Sequence, residues 1–139
     1  MSPTAALSHF PPAVGDQPPG RRQLVTQELI SAYAQASGDH NPIHLDPNYA
    51  REAGLPSTIA HGLLTLGMGC AGVENWAAEA SWTSRVSCRF SAAVPVGEEV
   101  TLSAVVMTAT ADSAVLDLQA VISNGDRPLT RASIELRPL

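Results

Sequence analysis

Apolar side chains recur with a helical period in the stretch "TQELISAYAQAS", which begins at Thr26. Four apolar residues of this stretch share one face of a helix: Leu29, Ile30, Tyr33 and Ala34. Thr26 is a suitable N-cap, and Gly38 is suited to end the helix because glycine adopts a left-handed conformation without strain. The pattern therefore predicts an amphipathic helix between Thr26 and Gly38.

A second helical stretch, "HGLLTLGMGCAGVENWAAEA", begins near His61. It contains four glycines: Gly62, Gly67, Gly69 and Gly72. Each would weaken an isolated helix by about 1 kcal/mol relative to alanine. We therefore expect another part of the chain to lie close to this helix along its length, as happens when a curved sheet wraps around a helix.

After this helix the apolar period changes to two. "RVSCRFSA" alternates, with Val86, Cys88 and Phe90 on one side. "EVTLSAVVMTA", "AVLDLQAVIS" and "LTRASIELR" follow as strands, separated by the hairpin signals "TADS" and "NGDRP". Helices that precede a run of antiparallel strands indicate the α+β class.

The chain is of a size for one domain. Its 139 residues can bury a core, and they contain neither a repeat nor a linker, so we predict a single domain over residues 1–139. Pro11, Pro12, Pro18 and Pro19 disfavour a helix in the first twenty residues. We expect residues 1–12 to form a loose N-terminal tail.

Charge and composition exclude several kinds of partner. The formal net charge is −5, and the 8 basic residues are scattered, which argues against a nucleic-acid surface. The longest apolar stretch, "GLLTLGMGCAGV", is too short and too rich in glycine to span a bilayer. No signal-peptide pattern is visible, so we expect a cytoplasmic protein in which Cys70 and Cys88 are thiols rather than a disulfide.

The polar stretch "SGDHNPIHLD" lies in the loop between the two helices, where we expect only short helical turns. Glycine, aspartate, asparagine and proline are turn formers, so a purely structural loop is one interpretation. A metal site is a second. Its candidate ligands are Asp39, His40, His44 and Asp46. These residues have none of the familiar metal-ligand spacings, so we do not expect a metal.

A third interpretation is an acid–base pair. Asp39 and His44 are five positions apart, and the Asn-Pro between them restricts the backbone, with Asn41 able to hold the turn through its side chain. "AHG" at the start of the second helix adds unpaired backbone amides near Gly62, which suit an oxyanion such as a thioester enolate. These residues alone indicate a site without specifying a substrate.

Three stretches together resemble the R-specific, MaoC-like (type 2) enoyl-CoA hydratases. "YAQASGDHNPIHLDPNYA" matches their Gly-Asp-x-Asn-Pro-aliphatic-His signature, and "IAHGLLTLG" and "FSAAVPVGEEV" are similar to their second and third motifs. The resemblance covers the chain beyond roughly the first dozen residues and looks strongest to the B subunits of (3R)-hydroxyacyl-ACP dehydratases. The chain departs from the pattern at Glu98–Glu99, where the family often has Gly-Asp.

The resemblance implies a hot-dog fold, an antiparallel sheet wrapped around a central helix, that pairs into a double hot-dog dimer. It also implies catalytic roles for Asp39 and His44, a motif role for Asn41, and a backbone amide at Gly62 that polarises the thioester carbonyl. His61 is part of the motif, and both packing and a direct role are open for it. The same resemblance gives no role to His40 or His9, which lies in the tail.

The implied activity is the reversible hydration of trans-2-enoyl thioesters to (3R)-hydroxyacyl thioesters, carried by CoA or acyl carrier protein, without a cofactor or metal. A non-catalytic or acyl-binding partner subunit of a heterodimeric dehydratase is the alternative from another class. A hot-dog thioesterase is a further alternative, and release of a free thiol would distinguish it. Both a homodimer and a heterodimer with a second hot-dog chain remain open.

Overall fold

A computed structural model describes residues 5–139 of the chain. The strands are β1 (Arg21–Leu24), β2 (Ser81–Phe90), β3 (Glu99–Ala109), β4 (Ala114–Val121) and β5 (Leu129–Pro138). The helices are α1 (Gln27–Ser37), α2 (Pro47–Glu52) and α3 (Gly62–Ala77), and a single 3₁₀ turn covers Pro42–His44. The predicted order of helices followed by strands is confirmed, and the extended N-terminal segment supplies the additional strand β1.

The five strands form one antiparallel sheet in the order β1-β3-β4-β5-β2. The two hairpin connections predicted from "TADS" and "NGDRP" join β3 to β4 and β4 to β5. Strand β2 follows α3 in the chain but pairs with β5, so β2 and β1 are the two edges. This arrangement confirms the α+β class.

The core lies between α3 and the inner face of the sheet. Burial alternates along β3, β4 and β5, as expected for strands with one covered face. Leu116 and Ile134 are fully buried in neighbouring strands, and Val73 of α3 is equally buried against them in the same apolar cluster. Burying each such side chain contributes about 1.5–3 kcal/mol, so this layer supplies most of the driving force for folding.

The expectation of a close neighbour at every glycine of α3 holds only in part. A Cβ added to Gly62 would lie 2.7 Å from the Phe90 ring, whereas one added to Gly69 or Gly72 would make an ordinary contact at 3.8 Å. At Gly67 nothing lies within 4 Å, so the expectation is wrong there. Gly67 is exposed, because the sheet covers one side of the helix and leaves the other open.

The N-terminal segment packs more closely than a loose tail would. Leu7 is only 7% exposed, and its N–H donates to the carbonyl of Trp76 at 2.8 Å. The Trp76 indole N–H donates to the carbonyl of Ala5 at 3.1 Å. A buried indole requires such an acceptor, so Ala5 and Leu7 are attached to the end of α3. The first four residues of the expected tail lie outside the described part of the chain.

None of the helices described in residues 5–139 is long and apolar enough to cross a membrane. Cys70 and Cys88 are both free thiols, as expected. Burial raises the pKa of the Cys70 thiol to about 11, with a further contribution from the negative charge of Glu74.

Candidate active site

Helix α1 ends directly before the loop that carries Asp39. Thr26 Oγ1 accepts the N–H of Leu29 at 3.1 Å at the start of the helix. At its end Gly38 has φ 77° and donates its N–H to Ala34 O. Both predicted ends of α1 are therefore confirmed. The left-handed turn at Gly38 reverses the chain direction, so the exposed Asp39 stands at the beginning of the loop.

Asn41 organises the turn that carries His44. Its N–H donates to Asp39 Oδ1 at 3.2 Å, and its own Oδ1 accepts the N–H of Ile43 at 3.2 Å. Pro42 follows at the first position of the 3₁₀ turn, where its missing N–H would have no partner in any case. Asn41 thus fixes the backbone between the two candidate catalytic side chains, as the sequence predicted for it.

His44 is 6% exposed and is oriented through one ring nitrogen. Its Nδ1 lies 2.7 Å from the carbonyl oxygen of Ile59. A carbonyl oxygen can only accept, so Nδ1 carries the proton of the neutral ring and donates it. Nε2 therefore keeps its lone pair, which makes it the ring atom that can accept a proton.

Two further residues support His44 through its backbone. The side-chain amide of Gln27 donates to the carbonyl of His44 at 3.0 Å, and the hydroxyl of Thr58 donates to Gln27 Oε1 at 2.7 Å. Thr58 is 1% exposed. Sequence reasoning missed both residues, because they are far from His44 in the chain and no local pattern joins them.

His61 packs between the same elements. It is 2% exposed, and its Nε2 donates to the backbone carbonyl of Asp39 at 3.0 Å. Its ring stacks on that of His44 with centroids 3.7 Å apart, and Tyr33 meets it edge-on at 4.8 Å. Within residues 5–139, His61 Nδ1 has no hydrogen-bond partner. The packing role left open by the sequence is therefore present.

Gly62 begins α3 directly after His61. His61 is the N-cap residue of the helix but makes no side-chain cap hydrogen bond. The N–H of Gly62 meets no acceptor among the residues that the structure describes, whereas the N–H groups of Leu64 and Thr65 donate to the carbonyl of His61. The first amides of a helix carry partial positive charge, so Gly62 N–H can donate to an anionic oxygen.

Two cavities of about 360 Å³ each adjoin these groups. The first opens beside Asp39 and His61, and the second opens beside small and apolar residues that include Ile59, Ala92 and Leu129. Three residues line both cavities: His44, Gly62 and Phe90. The candidate proton acceptor and the candidate oxyanion donor thus face the same space.

Asp39, His44 and His61 also place one potential ligand atom each within 4.8 Å of one another. This set differs from the four loop residues considered on sequence grounds, because Asp46 instead caps α2 through the N–H groups that follow it. His40 is exposed. Ligand lone pairs lie in the plane of an imidazole ring, so the stacked rings would have to separate before both could bind one ion.

A five-stranded antiparallel sheet wrapped around one helix defines the hot-dog class of folds. A family model described as "MaoC like domain" matches residues 9–120. The chain belongs to this MaoC-like family, and the resemblance inferred from its motifs is confirmed.

Two relatives illustrate the range of similar sequences. The 3-hydroxyacyl-thioester dehydratase X of Mycobacterium tuberculosis is 42% identical over 57 residues, which cover 41% of this chain and 20% of that protein. The mitochondrial 3-hydroxyacyl-[acyl-carrier-protein] dehydratase of Arabidopsis thaliana is 35% identical over 78 residues, which cover 56% of this chain and 46% of that protein. The matched stretch therefore spans less than half of the length of either relative.

Solved structures extend the similarity to almost the whole chain. An (R)-hydratase from A. caviae involved in PHA biosynthesis matches with a TM-score of 0.80 and 26% identity, covering 92% of this chain and 98% of that one. A chain of the ChsH1-ChsH2 complex from Mycobacterium tuberculosis matches with a TM-score of 0.84 and 20% identity, covering 91% and 98%. The second match shows a shared fold.

Proposed function

We propose that this protein is a lyase that catalyses the reversible hydration of trans-2-enoyl thioesters to (3R)-3-hydroxyacyl thioesters. The proposal rests mainly on one observation: Asp39, His44 and Gly62 line the same cavity, and Nδ1 of His44 is bonded to Ile59 so that Nε2 is left as the proton acceptor. These groups are those that the addition of water to an enoyl thioester requires. The R configuration rests on the family resemblance and on the similarity to the (R)-hydratase.

In the hydration direction, Asp39 and His44 hold a water molecule beside C3 of the substrate. As the water oxygen bonds to C3, its proton passes to this pair, and the electrons of the double bond move toward the thioester oxygen. Gly62 N–H stabilises the negative charge on that oxygen. The pair then returns a proton to C2, so the water is added across the double bond without any oxidant, reductant or metal. General acid–base catalysis of this kind contributes about 10²–10⁴-fold to a rate.

The test is an assay of the purified chain on trans-2-enoyl-CoA thioesters of increasing length, with the chirality of each product determined. We expect a 3-hydroxyacyl product of R configuration. A folded protein that hydrates none of these thioesters, on CoA or on acyl carrier protein, would overturn the proposal. Release of a free thiol instead of hydration would identify a thioesterase. The curated relatives are named both for acyl-carrier-protein and for CoA substrates, so both carriers belong in the assay.

We further propose that the working form is a dimer, with the site at the subunit interface. Strand β2 is ten residues long, lies at an edge of the sheet and is paired only with β5. Three of its apolar side chains are exposed: Trp82 by 52%, Val86 by 39% and Phe90 by 52%. An open edge with exposed apolar side chains favours pairing with a second chain.

The partner in this dimer is a second copy of the chain or a different hot-dog chain, as in the neighbour solved as a ChsH1-ChsH2 complex. A solely non-catalytic, acyl-binding subunit is the alternative, and the presence of both Asp39 and His44 argues against it. Two free thiols suit a reducing compartment, so we include a cytoplasmic location in the proposal.

Light scattering tests the assembly. We expect a mass above the 14.5 kDa of one chain and a shift toward the monomer in Val86→Glu, which places a charge on the β2 edge. Met107→Glu is the matched control, because Met107 is an exposed apolar residue on β3, which is not an edge strand. A stable and active species at 14.5 kDa would contradict the dimer.

A further inference from the structure

Phe90 is the last residue of β2, and its ring lies directly on the backbone of Gly62. A Cβ built on Gly62 would be 2.7 Å from Cδ1 of the ring, 2.9 Å from Cε1 and 3.0 Å from Cγ. Carbon atoms that are not bonded prefer separations of about 3.5–4.0 Å. No side chain therefore fits at position 62 unless the Phe90 ring moves.

The same ring adjoins both cavities. Each has a volume of about 360 Å³, at the lower end of the range of about 300–1,000 Å³ that ligand pockets occupy. Phe90 lines both cavities together with His44 and Gly62. The boundary between the cavities is thus the place where the proposed proton acceptor and the proposed oxyanion donor lie.

An acyl thioester needs space on both sides of this boundary, an argument that rests on the proposed function. Its acyl chain and its pantetheine arm extend in opposite directions from the thioester carbonyl. With the carbonyl oxygen at Gly62 N–H, one arm enters each cavity. Because the Phe90 ring lies against the backbone of Gly62, we expect the ring to move before one thioester can occupy both cavities.

The surroundings of Phe90 allow such a movement. The residue is 52% exposed, although it pairs with the buried Leu129 of β5 on the inner side of the sheet. A shift in the pairing register occurs between Ser87 and Arg89, immediately before it. Within its own chain the ring is therefore held by one end of an edge strand and is not enclosed by the core; in the proposed dimer it lies at the border with the second chain.

We propose that Phe90 is the gate of the acyl-thioester channel. In the free protein its ring covers Gly62 and divides the channel in two. When a substrate enters, the ring rotates away and the two cavities join. Opening precedes binding, so the observed association rate constant is that of the open protein multiplied by the fraction of molecules in which the gate is open.

The position of the ring is tested without any substrate, through the thermal stabilities of Gly62→Ala, Phe90→Ala and the double variant. We expect Gly62→Ala to destabilise the protein when Phe90 is present, because the new Cβ meets the ring. In the Phe90→Ala background the same change should cost markedly less. Additive effects of the two substitutions would show that the ring does not cover Gly62 and would overturn the proposal.

The gate itself is tested by stopped-flow association of butyryl-CoA, a saturated thioester that cannot be hydrated. We expect the association rate constant to rise by about 3- to 10-fold in Phe90→Ala and in the milder Phe90→Leu, and to fall in Phe90→Trp. Met107→Ala is the control and should leave the rate constant unchanged. Met107 is also an exposed apolar residue, but it lies on β3, away from the β2 edge, and lines neither cavity.

The outcomes separate this inference from the proposed function. If the wild-type protein hydrates crotonyl-CoA and the Phe90 variants change only the dissociation rate constant of butyryl-CoA, Phe90 is a lining residue and the gate is wrong. If the wild-type protein hydrates no trans-2-enoyl thioester, on CoA or on acyl carrier protein, and does not bind butyryl-CoA, the proposed function and the gate fail together.

Discussion

The loop that carries His44 and the end of β2 that carries Phe90 border the same two cavities, but they are held very differently. His44 is fixed through its ring by Ile59 and through its backbone by Gln27. One face of the His44 ring is covered by the stacked ring of His61. Phe90 is half exposed at the end of an edge strand, with its ring resting on a glycine.

This difference matches two different demands. Proton transfer requires hydrogen-bond distances of about 2.6–3.2 Å, so a group that moves protons benefits from several fixed contacts. Admission of a ligand requires a part of the wall that can move. One side of the site therefore supplies fixed geometry, and the other side supplies access.

The largest expected effect comes from the fixed side. His44→Ala and Asp39→Asn should each reduce kcat/KM for an enoyl-CoA by about a hundredfold or more, because each removes a group that transfers protons. Asp39 is exposed, so Asp39→Asn should keep the melting temperature of the wild type. Steady-state kinetics and circular dichroism measure the two quantities. A folded variant with near-wild-type activity would exclude that residue from the mechanism.

Gly62→Pro should have an effect of comparable size. Proline has no N–H, so the proposed oxyanion donor is lost while the first turn of α3 can still form. We expect kcat to fall by about two to three orders of magnitude. Gly62→Ala is the control, because its Cβ also meets the Phe90 ring but its N–H is retained. Unchanged turnover in a folded Gly62→Pro protein would show that the oxyanion is stabilised elsewhere.

Thr58→Val tests how much of the fixed geometry depends on residues away from the site. It removes the buried hydroxyl that donates to Gln27 and leaves the half-buried Gln27 Oε1 without that donor. We expect the free energy of unfolding to fall by about 1–3 kcal/mol in urea denaturation. Thr101→Val, at an exposed position of β3, should change it by less than about 0.5 kcal/mol. Equal effects of the two substitutions would contradict a supporting role for Thr58.

The smallest effect concerns the two thiols, Cys70 in α3 and Cys88 in β2. The pKa of Cys70 rises from 9.0 to about 11 in the folded protein, so the unfolded chain ionises first as the pH increases. The stabilising contribution of the protonated thiol is complete below pH 9 and decreases as the pH rises toward 11. Between pH 8 and pH 10 the free energy of unfolding should therefore fall by on the order of 1 kcal/mol less in Cys70→Ala than in the wild type.

Urea denaturation between pH 8 and pH 11 measures this slope. Cys88→Ala is the comparison, because burial also raises the pKa of Cys88, but this thiol lies on the less covered β2 edge. We expect Cys88→Ala to change the slope less than Cys70→Ala does. Parallel pH profiles for Cys70→Ala and the wild type would contradict the assignment.

Features that depend on neighbouring residues could be predicted from the sequence. The ends of α1 follow from the chemistry of Thr26 and Gly38 alone, and the turn before His44 follows from Asn41 and Pro42. The hairpins of the sheet also follow from short turn sequences between consecutive strands. The catalytic roles of Asp39 and His44 remain predictions that kinetics must test.

Features that depend on contacts through space could not be predicted. No sequence rule joins Gln27 and Thr58 to His44, and alternation along β2 placed Phe90 on the correct face without indicating that its ring would meet Gly62. The close neighbour expected at Gly67 is absent, because glycine composition does not reveal which side of a helix a sheet will cover. The sequence therefore predicts the loop that carries His44 better than the end of β2 that carries Phe90.

The attachment of the N-terminal segment to Trp76 also bears on the order in which the chain folds. Ala5 and Trp76 are 71 positions apart, whereas the hairpins join strands that are neighbours in the chain. Closing a loop costs more entropy as it lengthens, by about 0.6 kcal/mol for each doubling. The segment can also dock only where the end of α3 has already formed. We therefore expect the segment to attach late in folding and to detach early in local unfolding, exposing Trp76 while the sheet remains intact.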